Sequence, residues 1–294
     1  MGVRKLFQAA VTAHREALRR LERARVLGDG PGHGVIDRHR ALISQLAQAG
    51  TVVTPGWLGQ ALSRAVDETP LGEADTGAAV AVRIGECVAA QDLSFPVVVN
   101  LLGTGHLAVD RGADHPAVQG LIADVLIRLL AARPSQTLGV WSIVTDGSAA
   151  LSSLAPLVDA GILGPTARAS AEVGDVLDEA ESHVAQAERS GRRAADLPER
   201  VLIGAFGKTD EAVRYRIARL APRAAAARLH LVLAGWRDHG PASPLPQTTY
   251  VTVGRTTRVA GVPLPVTLDA PTDPAVISRV CERLIADAAQ WTIP

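Results

Sequence analysis

The chain has 294 residues, of which 30 are Lys or Arg and 30 are Asp or Glu, so its formal net charge is zero. This balance excludes a nucleic-acid binder that works through bulk positive charge, and the 47% of hydrophobic residues excludes an intrinsically disordered protein. Two cysteines, Cys87 and Cys281, cannot build a disulfide scaffold or a four-thiolate zinc site, and we expect both to be buried thiols. Lys5 and Lys208 are the only lysines among the 30 basic residues.

Neither a membrane span nor a secretory signal is visible in the sequence. No apolar stretch reaches the roughly 20 residues that are needed to cross a bilayer. The first seven residues lack the apolar segment of a signal peptide. We therefore expect a cytoplasmic protein.

Residues 1–50 are predicted to form a basic, coiled-coil-like helical hairpin. Side chains from Phe7 to Leu21 and from Ile36 to Leu46 recur at heptad spacing, and the glycine-rich segment 28–34 between them predicts a turn. Residues 1–40 contain nine basic and four acidic side chains. A solvated surface is one interpretation of this charge, and contact with DNA phosphates or an acidic partner is another. The candidate contact residues are Arg15, Arg19, Arg20, Arg23 and Arg25.

Residues 51–80 contain several prolines and glycines and little periodicity. We interpret them as an ordered edge around Trp57 and Leu58, followed by a linker.

Residues 81–294 are predicted to form an α/β domain in which strands and helices alternate. The predicted strands are 81–86, 95–102, 106–109, 139–144, 201–206 and 229–234, and the predicted helices are 118–132, 149–159, 171–189, 211–220 and a last one capped by Asp273-Pro274. We expect Gly103–Gly105 to form a tight hairpin turn and 250–253 to pair with 265–268. Apolar strands separated by helices indicate a mostly parallel sheet covered on both faces.

The turn between strand 106–109 and helix 118–132 is the first place to look for a ligand, because such sheets bind ligands at the carboxyl ends of their strands. A phosphate loop needs several glycines, a lysine and a magnesium-binding hydroxyl group. This loop has one glycine, two carboxylates, and neither a lysine nor a hydroxyl group. It therefore predicts a degenerate phosphate loop, whose residues are Asp110, Arg111, Gly112, Asp114, His115, Ala117 and Val118.

A second, weaker phosphate-binding candidate follows strand 201–206. Gly207, Lys208 and Thr209 look like the end of a phosphate loop, but the complete spacing needs a glycine where Leu202 stands. The histidines show no zinc-binding pair, and no serine stands in a nucleophile-elbow context, so we expect no metal site and no catalytic nucleophile.

The order of these elements resembles that of FtsK/SpoIIIE-type DNA translocases, which are RecA-like P-loop ATPases. Residues 129–134, Leu-Leu-Ala-Ala-Arg-Pro, are similar to the end of the helix that follows the family's phosphate loop, and residues 229–234, Leu-His-Leu-Val-Leu-Ala, are similar to a later strand. The resemblance covers roughly residues 95–270. It is greatest to the degenerate amino-terminal module of large actinobacterial FtsK/SpoIIIE-domain proteins, in which an intact motor module follows.

The resemblance implies a RecA-like three-layer α/β fold that has lost the groups that handle phosphate. The family's phosphate-loop lysine and hydroxyl residue align with Ala117 and Val118, its Walker B acids fall within 204–206, and its glutamine aligns with Trp236. It thus implies a pseudo-ATPase, without cofactor, that regulates or assembles a DNA-translocase-like motor as a homo-oligomer or with an intact motor module. Two alternatives stay open: an ATPase with an atypical phosphate loop that binds ATP and magnesium, and a DNA- or partner-binding module that acts through the hairpin.

Overall fold

The computed structural model describes residues 12–13, 16–20, 23, 33–74, 79–90, 93–134, 137–191, 196–207, 210–237 and 244–291, with the side chains of 33–39, 90 and 291 excepted. The helices are α1 (His33–Val53), α2 (Leu62–Glu68), α3 (Pro116–Ala132), α4 (Ala155–Asp159), α5 (Ser170–Ser190), α6 (Glu211–Ala224) and α7 (Pro274–Trp291). The strands are β1 (Val80–Ala90), β2 (Leu93–Leu102), β3 (His106–Val109), β4 (Leu138–Val144), β5 (Glu199–Ala205), β6 (Leu229–Ala234), β7 (Thr248–Thr252), β8 (Arg258–Val259) and β9 (Thr267–Leu268). Residues 12–13, 16–20 and 23 are also helical.

The larger sheet has six strands in the order β4-β5-β6-β3-β7-β8, and all are parallel except β8. Helices connect β3 to β4, β4 to β5 and β5 to β6, as expected where each strand runs in the same direction as its neighbour. The mostly parallel sheet of the sequence analysis is confirmed.

Helices cover this sheet on both faces, because alternate strand residues point to opposite sides. Leu107, Val201 and Val232 belong to the apolar core that also contains residues of α3 and α7. Leu202 and Leu231 belong to the second core, which contains residues of α5 and α6. The result is a three-layer α/β/α domain with buried strands.

A smaller antiparallel sheet, β2-β1-β9, lies beside the first. Helix α1 packs against β2 at Gly50 and Pro96, where a Cβ atom on Gly50 would collide with the proline ring. Two predictions are wrong here. Residues 267–268 pair with Gly85 and Glu86 of β1 rather than with β7, and Gly103–Gly105 forms a turn between two different sheets rather than a hairpin. Strand alternation reveals a buried face but does not identify the partner strand.

The segment 51–80, predicted as an ordered edge followed by a linker, supplies residues to the apolar core. It contains α2, and Trp57, Leu58 and Leu62 are almost completely buried. Prolines and glycines here separate short helical turns whose apolar side chains still reach the core. Helix α1 also begins at His33, within the predicted turn 28–34. The coiled-coil pairing of the hairpin and the domain boundaries at 50 and 80 stay predictions.

A buried polar cluster ties this segment to α3. The Arg128 guanidinium donates to the backbone oxygens of Trp57 at 2.8 Å and Gln60 at 2.6 Å. One turn earlier, Asp124 accepts a hydrogen bond from the Thr272 hydroxyl at 2.9 Å, and its other oxygen has no partner among the described residues. Burial raises the pKa of Asp124 to about 6.

Candidate functional site

The carboxyl ends of β3 and β6 form the site that this topology offers to a ligand. The two strands are neighbours. The chain leaves β3 for α3 on one face, whereas after β6 it passes Trp236 and Leu245 in the core of the opposite face. Neighbouring strands whose connections leave on opposite faces create a crevice at their carboxyl ends, and such crevices hold the ligands of α/β proteins. We call this place the switch-point crevice.

Backbone hydrogen bonds join the two loops across the switch-point crevice. The Gly235 amide donates to the Arg111 carbonyl at 2.6 Å, and the Trp236 amide donates to the Val109 carbonyl at 2.8 Å. On the other side of β3, Asp110 accepts the Val253 amide at 2.8 Å. Arg111 donates to the Val253 carbonyl at 3.0 Å, so its side chain is held at the protein's own backbone.

A carboxylate of the protein itself accepts hydrogen bonds from backbone amides near the start of α3. Amides in such a place bind phosphate in proteins that have a phosphate loop. Asp146, which follows β4, accepts the Ala113 amide at 3.1 Å and the Ser148 amide at 2.9 Å. Since backbone amides at a loop before a helix are what binds phosphate in such folds, Asp146 competes with any anion there. Gly112 and Asp114 lie in the same turn, and a Cβ atom on Gly112 would lie 2.7 Å from the Asp114 carboxylate.

The first turn of α3 offers no phosphate ligand among its side chains. Its first residues are Pro116, Ala117 and Val118, and Val118 is fully buried. The amides of His115 and Val118 donate within the turn, to Gly112 at 3.2 Å and to His115 at 2.9 Å. The two positions that align with the family's lysine and hydroxyl residue therefore carry only apolar side chains.

The end of β5, where the resemblance places the Walker B acids, is closed by a ring and an arginine. The Phe206 ring folds back against Gly204, where a Cβ atom would collide with it. Arg214 of α6 donates to the carbonyls of Gly207 at 3.1 Å and Phe206 at 3.4 Å. Asp210 accepts the Gly207 amide at 2.8 Å and also the Thr145 hydroxyl. Lys208 and Thr209 lie outside the described residues.

Phe206, Trp236 and Arg214 form one stack, which we call the aromatic plug. The two rings meet edge to face with centroids 6.0 Å apart and an interplanar angle of 71°. The Arg214 guanidinium lies 5.6 Å from the Phe206 ring and 5.3 Å from the Trp236 ring. Burial lowers the pKa of Arg214, whereas Asp210 opposes that shift. Sequence reasoning missed Phe206 and Arg214 because the plug joins three separate loops and helices.

Buried charges lie at the opposite, amino-terminal edge of the sheet. Glu199 contacts Arg133 at 2.7 Å and Arg228 at 3.6 Å, with its side chain 4% exposed. His230 lies 3.4 Å from the same carboxylate. Burial alone would raise the pKa of Glu199, but His230 and the two arginines hold it below its usual value. This cluster joins the end of α3 to the beginnings of β5 and β6.

His106, at the start of β3, is buried in its neutral form. Its Nδ1 accepts the Leu231 amide at 3.1 Å, so Nε2 carries the proton that is shared with the Ala221 carbonyl at 3.2 Å. Burial lowers its pKa to about 4, although the hydrogen bond to the Ala221 carbonyl partly opposes the shift.

Three of the five candidate arginines of the hairpin lie around one carboxylate. Glu16 is 3.9 Å from Arg19, 3.2 Å from Arg20 and 3.1 Å from Arg23. The three guanidinium groups are largely exposed. Arg15 and Arg25 lie outside the described residues.

No protein-family model matches the chain, and its sequence matches none of the curated proteins. Within the described residues, no helix has both the length and the apolar character that a membrane span requires.

Solved structures share its fold. EssC ATPases 2 and 3 from Geobacillus thermodenitrificans match with a TM-score of 0.58 at 14% identity, over 82% of this chain and 53% of that chain. Thermomonospora curvata EccC ATPases 2 and 3, in complex with a signal sequence peptide, match with a TM-score of 0.55 at 15% identity, over 77% and 51%. The cytoplasmic domain of EssC matches with a TM-score of 0.52 at 13% identity, over 73% and 51%.

These neighbours contain FtsK/SpoIIIE-type P-loop ATPase domains, so the resemblance of the sequence analysis is confirmed for the fold. The α/β domain of this chain is RecA-like. The chain spans about half the length of each of these solved structures.

Proposed function

We propose that this protein is a non-catalytic FtsK/SpoIIIE-like module that regulates or assembles a motor and does not hydrolyse ATP. The observation that carries the proposal is the occupied switch-point crevice. Asp146 accepts a hydrogen bond from the Ala113 amide, and the amides of Gly235 and Trp236 donate to the carbonyls of Arg111 and Val109. A phosphate chain bound at the loop before α3 would have to displace the Asp146 carboxylate.

Chemistry at this crevice would need groups that the described residues do not supply. Phosphoryl transfer depends on cations that neutralise developing charge and on a residue that orients the attacking water. Ala117 and Val118 stand where a lysine and a hydroxyl group would act, and Phe206 lies among the positions of the Walker B acids. Trp236 occupies the position of the family's glutamine, and its ring is 1% exposed. Magnesium ATP would therefore find neither its ligands nor an aligned water.

The role as a module of a larger assembly draws on the comparisons. Two of the similar structures comprise two ATPase domains each, and this chain spans about half of them, as one domain of the pair would. We propose that the protein acts in the cytoplasm, as a homo-oligomer or beside an intact motor module.

Isothermal titration of the whole chain with ATP and Mg²⁺ tests the non-catalytic assignment. We expect no binding heat at millimolar nucleotide. Micromolar binding that Arg111→Ala or Lys208→Ala abolishes would overturn the assignment and favour the second candidate, an ATPase with an atypical phosphate loop. Binding that both variants retain would also overturn it.

A third candidate is DNA or partner binding through the basic hairpin, for which the exposed Arg19, Arg20 and Arg23 argue. Binding to DNA would weaken steeply with salt and would disappear when residues 1–50 are deleted. The absence of binding to duplex DNA at low salt would remove the DNA version of this candidate.

A further inference from the structure

An open groove of about 980 Å³ is lined by residues other than those that form the switch-point crevice. The helical residues around Leu18 form one wall, and the turn from Arg258 to Pro263 forms the other. Its floor comes from Val98 and Asn100 of β2 and from Thr249 of β7. We call it the arginine groove.

Both walls of the arginine groove carry positive charge. Arg19 and Arg23 line one wall and Arg258 lines the other, and all three are exposed. Glu16 is the one acidic residue that lines the groove among the described residues, and Arg19, Arg20 and Arg23 share it. One carboxylate cannot neutralise the guanidinium groups of two walls, so the groove attracts an anionic ligand.

The walls are held in place by the fold. Val259 pairs with Val251 of β7, and the Val262 amide donates to the Val259 carbonyl at 2.9 Å, which closes the turn. On the other wall, Ala17 is buried in the main apolar core and Leu18 packs against it. The arginines therefore project from anchored backbone on both sides.

The floor suits an extended polypeptide. Among the described residues β2 pairs with β1 alone, so its outer edge is that of an edge strand. Val98 is partly exposed and supplies apolar surface, whereas Asn100 and Thr249 supply hydrogen-bonding groups. Asn100 and Thr249 also line a second cavity of about 780 Å³, so the floor continues beyond the groove.

We propose that the arginine groove binds an extended acidic segment of a partner protein. Its carboxylates would meet Arg19, Arg23 and Arg258, and its backbone and apolar side chains would lie on the floor. Single-stranded nucleic acid is the less suitable anion, because proteins that bind it stack bases on aromatic rings and no aromatic residue lines this groove among the described residues. The proposal concerns a site separate from the switch-point crevice and does not depend on whether that crevice binds nucleotide.

Glu16 allows a substitution that should strengthen the binding of an acidic ligand rather than weaken it. Its carboxylate forms ion pairs with Arg19 and Arg23, so it competes with the carboxylates of a ligand for these two arginines. Removing that charge should strengthen binding of an acidic ligand, whereas removing a groove arginine should weaken it.

The test uses the full chain and a short fluorescein-labelled peptide of alternating Glu and Leu, with binding followed by fluorescence anisotropy. We expect the Arg258→Glu variant to bind at least about tenfold more weakly, and Glu16→Gln to bind more tightly, by about fivefold, as expected for exposed ion pairs. Arg255→Glu is the matched control, because Arg255 is exposed three residues away and does not line the groove. It should change binding less than about twofold.

Three results would overturn the proposal. The first is no binding of the peptide by the unaltered chain at low salt, and the second is an equal effect of Arg255→Glu and Arg258→Glu, which would indicate bulk charge alone. The third is tighter binding of a single-stranded DNA oligonucleotide that Arg258→Glu also abolishes, which would assign the groove to nucleic acid.

Discussion

Replacing Trp236 with alanine removes the centre of the aromatic plug. The indole is 1% exposed, meets the Phe206 ring at 6.0 Å and lies 5.3 Å below the Arg214 guanidinium. Truncating a buried Trp or Phe lowers the free energy of unfolding by about 3–5 kcal/mol. Because Trp236→Ala also removes the contacts with the Phe206 ring and the Arg214 guanidinium, we expect a loss of about 4 kcal/mol. With about 2.1 cal/mol/K of unfolding entropy per residue, the melting temperature should fall by about 6 °C.

Urea unfolding followed by circular dichroism measures this loss for Trp236→Ala. Tyr215→Ala is the control, because Tyr215 is an aromatic residue of α6 with 61% exposure, and its removal should change the unfolding free energy by less than about 0.5 kcal/mol. A loss below about 1 kcal/mol for Trp236→Ala would refute the conclusion that this ring fills the end of β6.

Three further predictions concern buried titratable side chains. Because burial lowers the pKa of His106 to about 4 from its usual value of 6.5, unfolding takes up a proton in acid, and the free energy of unfolding should fall by up to about 3 kcal/mol between pH 6.5 and 4 in urea titrations. Asp124 has the opposite effect on stability, because its pKa is raised to about 6 from 3.8 and its ionised form destabilises the folded state. Asp124→Asn should therefore be more stable than the unaltered protein above pH 6, lose that advantage below pH 4 and show a steeper loss of stability in acid. An advantage that does not change with pH would contradict this. Glu199→Gln leaves Arg133 and Arg228 without their carboxylate and should cost about 3–5 kcal/mol, whereas a loss below about 1 kcal/mol would show that the pair is not desolvated.

Local patterns predicted the elements of the larger sheet well. The apolar runs of β3, β5 and β6 and the stripe of α3 each reflect burial on known sides of one element, so their residues carry the signal themselves. The predicted final helix is confirmed as α7, and Asp273 accepts the Ala275 amide at its start, at 2.7 Å. Both cysteines are buried thiols, as expected.

Contacts between distant parts of the chain could not be predicted from the sequence. The pairing of β9 with β1 joins residues more than 180 positions apart, and a two-residue strand has no alternation to reveal its partner. Helix α2 was missed because its seven residues are too few for a periodic stripe.

The candidate site divides in the same way. The resemblance places the family's phosphate-loop lysine and hydroxyl residue at Ala117 and Val118 and its Walker B acids within 204–206, and the sequence shows that other side chains stand there. What stands in their place could not, because the bond from Ala113 to Asp146 and the contacts of Arg214 join loops from different strands. A sequence shows that a phosphate-binding side chain is missing from a position, whereas the contacts that fill the place of the phosphate become visible only in the folded structure.

Hydrogen exchange at the amides of Ala113, Gly235 and Trp236, with and without millimolar ATP and Mg²⁺, tests the occupied switch-point crevice most directly. All three amides are bonded to groups of the protein itself. The account predicts slow exchange that nucleotide does not change. Fast exchange without nucleotide, or a clear slowing when nucleotide is added, would show that the crevice is open to phosphate and would contradict the account.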